Sequence, residues 1–157
     1  MIETNISKRQ LKLLNALQLK KFRKQHQSFV VEGEKSVVET LKSTYQVKAL
    51  FCTSYFADQH AALLKKASEV WIVPENDLKK ASYFQTNNRG LAVVDIPDAT
   101  EPNPFQAQEY GLVLDGIQDP GNLCTIIRIA DSYGLQQLLC STDTVDVSNP
   151  KLFCACM

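Results

Sequence analysis

The sequence predicts an α/β protein in two parts: a small α/β domain over residues 1–97 and the first part of a second α/β domain over 109–157, joined by a linker at 98–108. Short apolar runs of strand length alternate with segments whose apolar residues recur at helical spacing, and such alternation packs helices on the faces of a sheet. The stretch Ile96-Pro97-Asp98-Ala99-Thr100-Glu101-Pro102-Asn103-Pro104 carries prolines among polar residues and no periodicity, which marks the boundary. With 157 residues, 45% hydrophobic and 22% charged, the usage is globular, neither disordered nor fibrous. A chain of this length buries roughly two thirds of its unfolded surface and needs no disulfide or structural metal to fold.

Ser7 followed by Gln10 is a capping-box pair, and Leu11, Leu14, Leu17 and Phe22 continue at helical spacing, so a basic amphipathic helix is expected over 7–25. Ser28–Glu32 reads as a strand and Glu34–Lys42 as a helix with Val37, Val38 and Leu41 inside. A strand over Val47–Thr53, a helix over Ala57–Ala67, a strand over Glu69–Val73, a helix opening at Pro74-Glu75 and a strand over Leu91–Ile96 follow. Beyond the linker, Gly111–Asp115 has the composition of a buried strand, Gly116–Gly121 of a turn-rich loop, Asn122–Tyr133 of a helix and Leu135–Ser141 of a strand, making one βαβ unit. A parallel sheet needs further strands to cover its helix, so the second domain is expected to be incomplete.

Charge and cysteine usage narrow the function. Basic and acidic residues balance at 17 each, yet the first 28 residues hold Lys8, Arg9, Lys12, Lys20, Lys21, Arg23 and Lys24 against Glu3 alone. A cationic arm on a neutral chain is expected where one end meets a polyanion, although a solvated helix face gives the same pattern. No apolar run approaches a membrane span and Met1-Ile2-Glu3-Thr4-Asn5 opens no signal peptide, so a soluble cytoplasmic protein with no membrane role is expected. Cys52, Cys124, Cys140, Cys154 and Cys156 lack metal-ligand spacing and read as reduced thiols. His26 and His60 stand without partner ligands and are expected to be solvated or capping, so no metal site is predicted. Trp71, beside Ile72 and Val73, reads as core.

The run Leu114 to Asp131 carries the chemistry. Asp115 ends a strand, Gly116 and Gly121 allow tight backbone turns, and Asn122 suits a helix N-cap, so the loop presents a helix N-terminus at the carboxyl edge of a sheet. Arg128 lies among Ile126, Ile127, Ile129 and Ala130, where a guanidinium is costly to desolvate unless it meets a phosphate or carboxylate. An ion pair with Asp131 or Asp115 would also satisfy it.

The full string Asp115-Gly116-Ile117-Gln118-Asp119-Pro120-Gly121-Asn122-Leu123, continued by Thr125, Ile126, Arg128, Ala130 and Asp131, resembles the first motif of the SpoU (TrmH-like) RNA ribose 2′-O-methyltransferases of the SPOUT superfamily. The basic helix, Phe29-Val30-Val31-Glu32-Gly33-Glu34-Lys35 and Arg89-Gly90-Leu91-Ala92-Val93-Val94 are similar to that family's RNA-binding domain, so the likeness runs to about Lys151. The resemblance implies a small α/β RNA-binding domain followed by the first part of a SPOUT-type α/β-knot domain. It also implies an rRNA or tRNA substrate, S-adenosylmethionine as methyl donor, a homodimer in the complete protein, Arg128 as catalytic residue and Asn122 shaping the substrate site. Lys8, Arg9, Lys12, Lys20, Lys21, Arg23, Lys24 and Arg89 become the RNA-binding candidates. Because a guanidinium keeps its proton, Arg128 is expected first to orient the substrate. After Lys151 the pattern departs: Leu152-Phe153-Cys154-Ala155-Cys156-Met157 stands where a knotted segment with the donor-binding motifs would follow. A truncated chain, inactive as given, is therefore expected, with a non-catalytic RNA-binding fragment or paralogue as the alternative.

Overall fold

The computed structural model of the chain describes residues 2–3, 5–84, 87, 89–98 and 104–156, the side chains of 2, 3, 154 and 155 aside. Residues 99–103 of the expected linker and Met157 lie outside the described residues. The chain divides into two compact units, 1–97 and 98–156.

In the first unit, β1 (Ile2–Glu3) precedes α1 (Lys8–Ala16) and α2 (Lys20–His26), followed by β2 (Ser28–Glu32), α3 (Glu34–Lys42), β3 (Val47–Cys52), α4 (Ser54–Gln59), α5 (Ala61–Leu64), β4 (Ala67–Ile72), α6 (Glu75–Ala81) and β5 (Gly90–Asp95). The five strands form one sheet in the order β1-β4-β3-β5-β2. β1, β4 and β3 run parallel, whereas β5 lies antiparallel between β3 and β2. β1 escapes a sequence reading because two residues carry no periodicity.

The single helix expected over 7–25 is two. The capping box forms as the sequence implies, Gln10 N donating to Ser7 Oγ at 3.2 Å and Ser7 N to Gln10 Oε1 at 2.9 Å. The chain then tightens: Gln18 N bonds Asn15 O at 3.3 Å and Leu19 N bonds Ala16 O at 2.9 Å, three-residue closures that end the helix while Leu17 turns fully inward. The helix expected over 57–67 is likewise α4 and α5, and it opens earlier because the Thr53 side chain accepts from Phe56 N. His60, at the break, is the C-cap of α4 and the N-cap of α5, in line with the capping role expected of it, but its ring makes no cap bond; its Nε2 lies 2.9 Å from Glu34 Oε1 and its ring 4.7 Å from that of Phe56.

Alternation along the strands divides the core between two faces. Val30, Phe51, Leu91 and Val93 pack with Leu14 of α1 and Leu17 at its C-cap and with Leu78 and Ala81 of α6. Their neighbours Val31, Leu50, Ala92 and Val94 are equally buried and point to the opposite face, that of α3, α4 and α5. Trp71 stacks on Phe51 at 6.4 Å and packs half-buried against the first cluster, so the core role expected of it is met only in part.

The second unit holds β6 (Gly111–Leu114), α7 (Pro120–Ser132), β7 (Gln137–Cys140) and α8 (Pro150–Cys156). β6 and β7 pair in parallel, with α7 as the crossover. The core is Leu114, Leu123, Cys124 and Leu152, so Cys124 is a packing residue. β6 is not the doubly buried strand its composition suggested: only Leu112 and Leu114 turn inward, and Val113 is 77% exposed.

Two buried polar groups shape the segment between α6 and β5. Glu32, 4% exposed, accepts Tyr83 N at 2.8 Å and Phe84 N at 3.1 Å, and Asn87, equally buried, donates to Ser82 Oγ and accepts from Arg89 N. Burial pushes the Glu32 carboxyl above its ordinary value more strongly than the two amides pull it down. A carboxyl raised in the folded state contributes stability that is complete below the ordinary carboxylate range and is lost as pH rises through the folded value. The stability advantage of the parent chain over Glu32→Gln should therefore shrink between acidic and neutral pH. Urea titrations followed by the fluorescence of Trp71, the sole tryptophan, measure it; an advantage that grows with pH contradicts the assignment.

Candidate functional site

The cationic residues of the first unit separate into two groups. Lys8, Arg9 and Lys12 on α1 and Lys20, Lys21 and Lys24 on α2 are exposed. Arg9 and Lys12 border, with His26, a groove of about 770 Å³ that Leu13, Ala16 and Phe22 line with apolar surface. Arg23 is different, with only 2% of its surface exposed. Its Nη1 donates to Gln18 O at 2.7 Å and Leu17 O at 3.2 Å, carbonyls that the broken helix leaves without a turn to bond. The expectation of a phosphate contact there gives way to a structural clamp, because a buried guanidinium engaged by carbonyls has no free face for solvent anions.

Arg89 sits apart from this platform, immediately before β5. Its guanidinium carbon lies 4.1 Å from the centre of the Tyr55 ring, a cation–π contact on a tyrosine that remains 50% exposed. Its backbone is fixed by Thr53 N bonding Arg89 O at 3.1 Å. Sequence reasoning missed Tyr55; an aromatic residue opening a helix just after an N-cap threonine was the available signal, too common to single out. It also missed Glu32 and Asn87, whose partners are distant in sequence.

In the second unit the loop after β6 is built by its own hydroxyls. Gly116, with φ at +65°, adopts the left-handed conformation that favours glycine. Its N–H donates to Ser141 Oγ at 2.9 Å, Ile117 N donates to Thr144 Oγ1 at 3.3 Å, and Val145 N returns to Ile117 O at 2.8 Å. The N-cap of α7 is Asp119, which accepts Asn122 N at 2.8 Å, with Pro120 in the first turn. Asn122 is thus a first-turn residue with an exposed side chain, because proline suits the first helical position and pushes the cap upstream. Arg128 lies six residues farther along α7, about 9 Å by helical rise. It too is exposed, so the expected desolvation cost does not arise, and among the described residues it has no ion pair with Asp131 or Asp115. The structure brings Asn122 and Arg128 to one helix without joining them.

Asp115, Gln118, Asp119 and Asn122 stand in solvent at this edge and Arg128 farther along α7, and Ser141 and Thr144 bond to each other and to the loop. A donor nucleoside is held by enclosure with convergent polar groups.

The described cysteines 52, 124, 140 and 156 are free thiols. Burial pushes Cys52 up to about 11, and burial followed by the neighbouring Cys124 takes Cys156 up to about 12, values that disfavour thiolate chemistry. No metal-binding group of histidine, cysteine and carboxylate side chains occurs among the described residues, and no described helix is long and apolar enough to cross a membrane.

Residues 8–92 match the MRM3-like substrate binding domain. Over 135 residues the chain is 30% identical to the 23S rRNA (guanosine(2553)-2′-O)-methyltransferase RlmP of Bacillus subtilis, covering 86% of this chain and 52% of that protein. A solved structure assigned to the TrmH family of RNA methyltransferases, from Porphyromonas gingivalis, superposes with a TM-score of 0.80 at 36% identity, covering 98% of this chain and 59% of its own. The AdoMet-bound rRNA methyltransferase from Sinorhizobium meliloti gives the same TM-score, 0.80, at 26% identity and the same coverage, 98% and 59%. The chain therefore spans between half and three fifths of the length of these relatives.

The two groups of cations should respond differently to neutralisation. Arg23→Gln should lower stability by about 1.5–3 kcal/mol, the scale of charge-assisted hydrogen bonds to buried carbonyls, whereas Lys20→Gln should stay within about 0.5 kcal/mol of the parent. Urea denaturation by Trp71 fluorescence separates them, and equal effects would place Arg23 on the surface with the lysines.

Proposed function

Since the chain belongs to the SpoU (TrmH-like) family of RNA methyltransferases through its MRM3-like substrate-binding domain, we propose that its first unit binds ribosomal or transfer RNA and that its second unit carries the RNA-facing half of a ribose 2′-O-methyl transfer site. The observation that carries the reading is the exposed cationic platform of α1 and α2 in a chain whose total charge is zero. Lys8, Arg9, Lys12, Lys20, Lys21 and Lys24 supply phosphate attraction without sequence preference, and RNA shape and unpaired bases supply selectivity.

In the second unit Arg128 acts on the RNA. A guanidinium exposed on a helix presents a planar fork to a phosphate, fixing the adjoining ribose, while Asn122 offers an amide to the same strand. S-adenosylmethionine is the donor that an AdoMet-bound relative holds. Asp115, Gln118, Asp119 and Asn122 stand in solvent at the described edge, and the 157-residue chain alone is read as binding RNA without transferring methyl groups. The whole protein is read as a homodimer acting in the cytoplasm, a setting that suits its free thiols. The alternative, an RNA-binding chain with no catalytic role in any assembly, is favoured by the same open edge.

Two experiments test this reading. Replacing Lys20, Lys21 and Lys24 together with Gln should weaken RNA binding and reduce the slope of log K against log salt by about two; an unchanged slope in a polarisation titration removes the platform from the RNA interface. In a chimera that continues residues 1–149 with the C-terminal part of the Bacillus subtilis relative, Arg128→Lys should fold yet lose most ribose methylation. Near-parental transfer by that variant assigns the role to charge alone or to another residue.

A further inference from the structure

A second feature of the first unit has the build of a ligand site. The helices that follow neighbouring parallel strands leave toward opposite faces of the sheet. α4, after β3, packs with α3, since the Phe56 ring and Val37 both approach Gly90; α6, after β4, packs with α1. Where helices diverge from adjacent parallel strands a crevice opens at the strands' carboxyl ends, the usual ligand position in open α/β sheets. Here it is a cavity of about 510 Å³ lined by Asn5, Thr53, Tyr55, Val73, Glu75 and Arg89. Its floor is closed by Val73 N bonding Cys52 O at 2.9 Å and Thr53 N bonding Arg89 O at 3.1 Å.

The lining has a particular chemistry. Tyr55 carries the Arg89 guanidinium over its ring, the guanidinium carbon 4.1 Å from the ring centre. Unpaired bases stack on aromatic rings and on guanidinium planes, and a tyrosine–arginine pile is a platform already assembled for one more planar group. Glu75, paired with Lys79 at 2.6 Å and also feeling the Arg89 charge, stays ionised and offers an acceptor to amino and imino hydrogens at a base edge. A bare phosphate would be repelled by that carboxylate, so the lining favours a base over a backbone contact. Glu32 and Asn87 hold the segment that delivers Arg89.

We propose that an unpaired nucleobase of the RNA seats in this cleft, stacked on the Arg89 guanidinium that Tyr55 supports, with Glu75 at its hydrogen-bonding edge. The proposal rests on the RNA-binding reading of the first unit and assigns to it a pocket for a single base in addition to the cationic platform.

The test compares two RNAs bound by the full 157-residue chain: a hairpin with a single-stranded extension, and the same hairpin with abasic residues in the extension, which keeps every phosphate. The parent chain should bind the first about tenfold more tightly, the scale of one base stack. Tyr55→Leu and Arg89→Lys should bind both RNAs equally, with the affinity for the abasic RNA unchanged from the parent, which a merely structural role for the tyrosine would not yield, and Tyr55→Phe, which keeps the ring, should keep the discrimination. Equal binding of the two RNAs by the parent chain, or tenfold discrimination surviving in Tyr55→Leu, overturns the proposal while leaving a salt-dependent platform intact. Absence of salt-dependent binding to either RNA overturns the platform reading as well.

Discussion

Neighbouring parallel strands whose following helices turn to opposite faces of a sheet cannot have their carboxyl ends closed over, and the first unit is organised around that opening. β3 and β4 are such a pair, and both faces are compelled by burial: Phe51 and Val93 demand a cover from α1 and α6, Leu50 and Val94 from α3 to α5. With both faces covered the cleft between the helices is unavoidable. Tyr55 and Glu75, each near the start of its helix, are then placed on its walls by topology, before any consideration of their chemistry.

The same economy governs the cations. A guanidinium and an ammonium carry equal charge, yet only the guanidinium can serve two carbonyls from a buried position, because its planar donors are fixed in a fork and its hydration is weaker. Arg23 takes that role between α1 and α2, and the lysines around it remain in water. The break between the two helices, which looks like a loss of helical hydrogen bonds, thereby fixes the angle at which the lysines of α2 are presented relative to those of α1.

Much of this was legible from residues near one another in sequence. Ser28–Glu32 and Glu34–Lys42 lie as alternation and helical spacing dictate, and the capping box of Ser7 and Gln10 forms as written. What was not legible depends on partners far along the chain. Arg23 looks like its lysine neighbours until the carbonyls of Leu17 and Gln18 are seen beneath it. Arg128 sits among isoleucines in sequence but stands in solvent, because Ile126 and Ile127 take the inner face of α7 and leave the arginine outside. Asn122 and Asp119 are both good caps, and only the proline between them decides. The family resemblance pointed to Arg89 without explaining it; Tyr55, 34 positions earlier, gives it a reason.

One further consequence follows from the position of β5. It is the last strand of its unit in sequence and an inner strand in space, paired along both edges, to β2 and to β3, which do not touch one another. Until Gly90–Asp95 has been made, the two parts of the sheet have nothing to join them. On a ribosome adding about 5–20 residues each second, the unit therefore assembles late and in one closure, dominated by contacts distant in sequence, instead of growing strand by strand. The cationic helices are synthesised first, but the sheet that orients them is completed last.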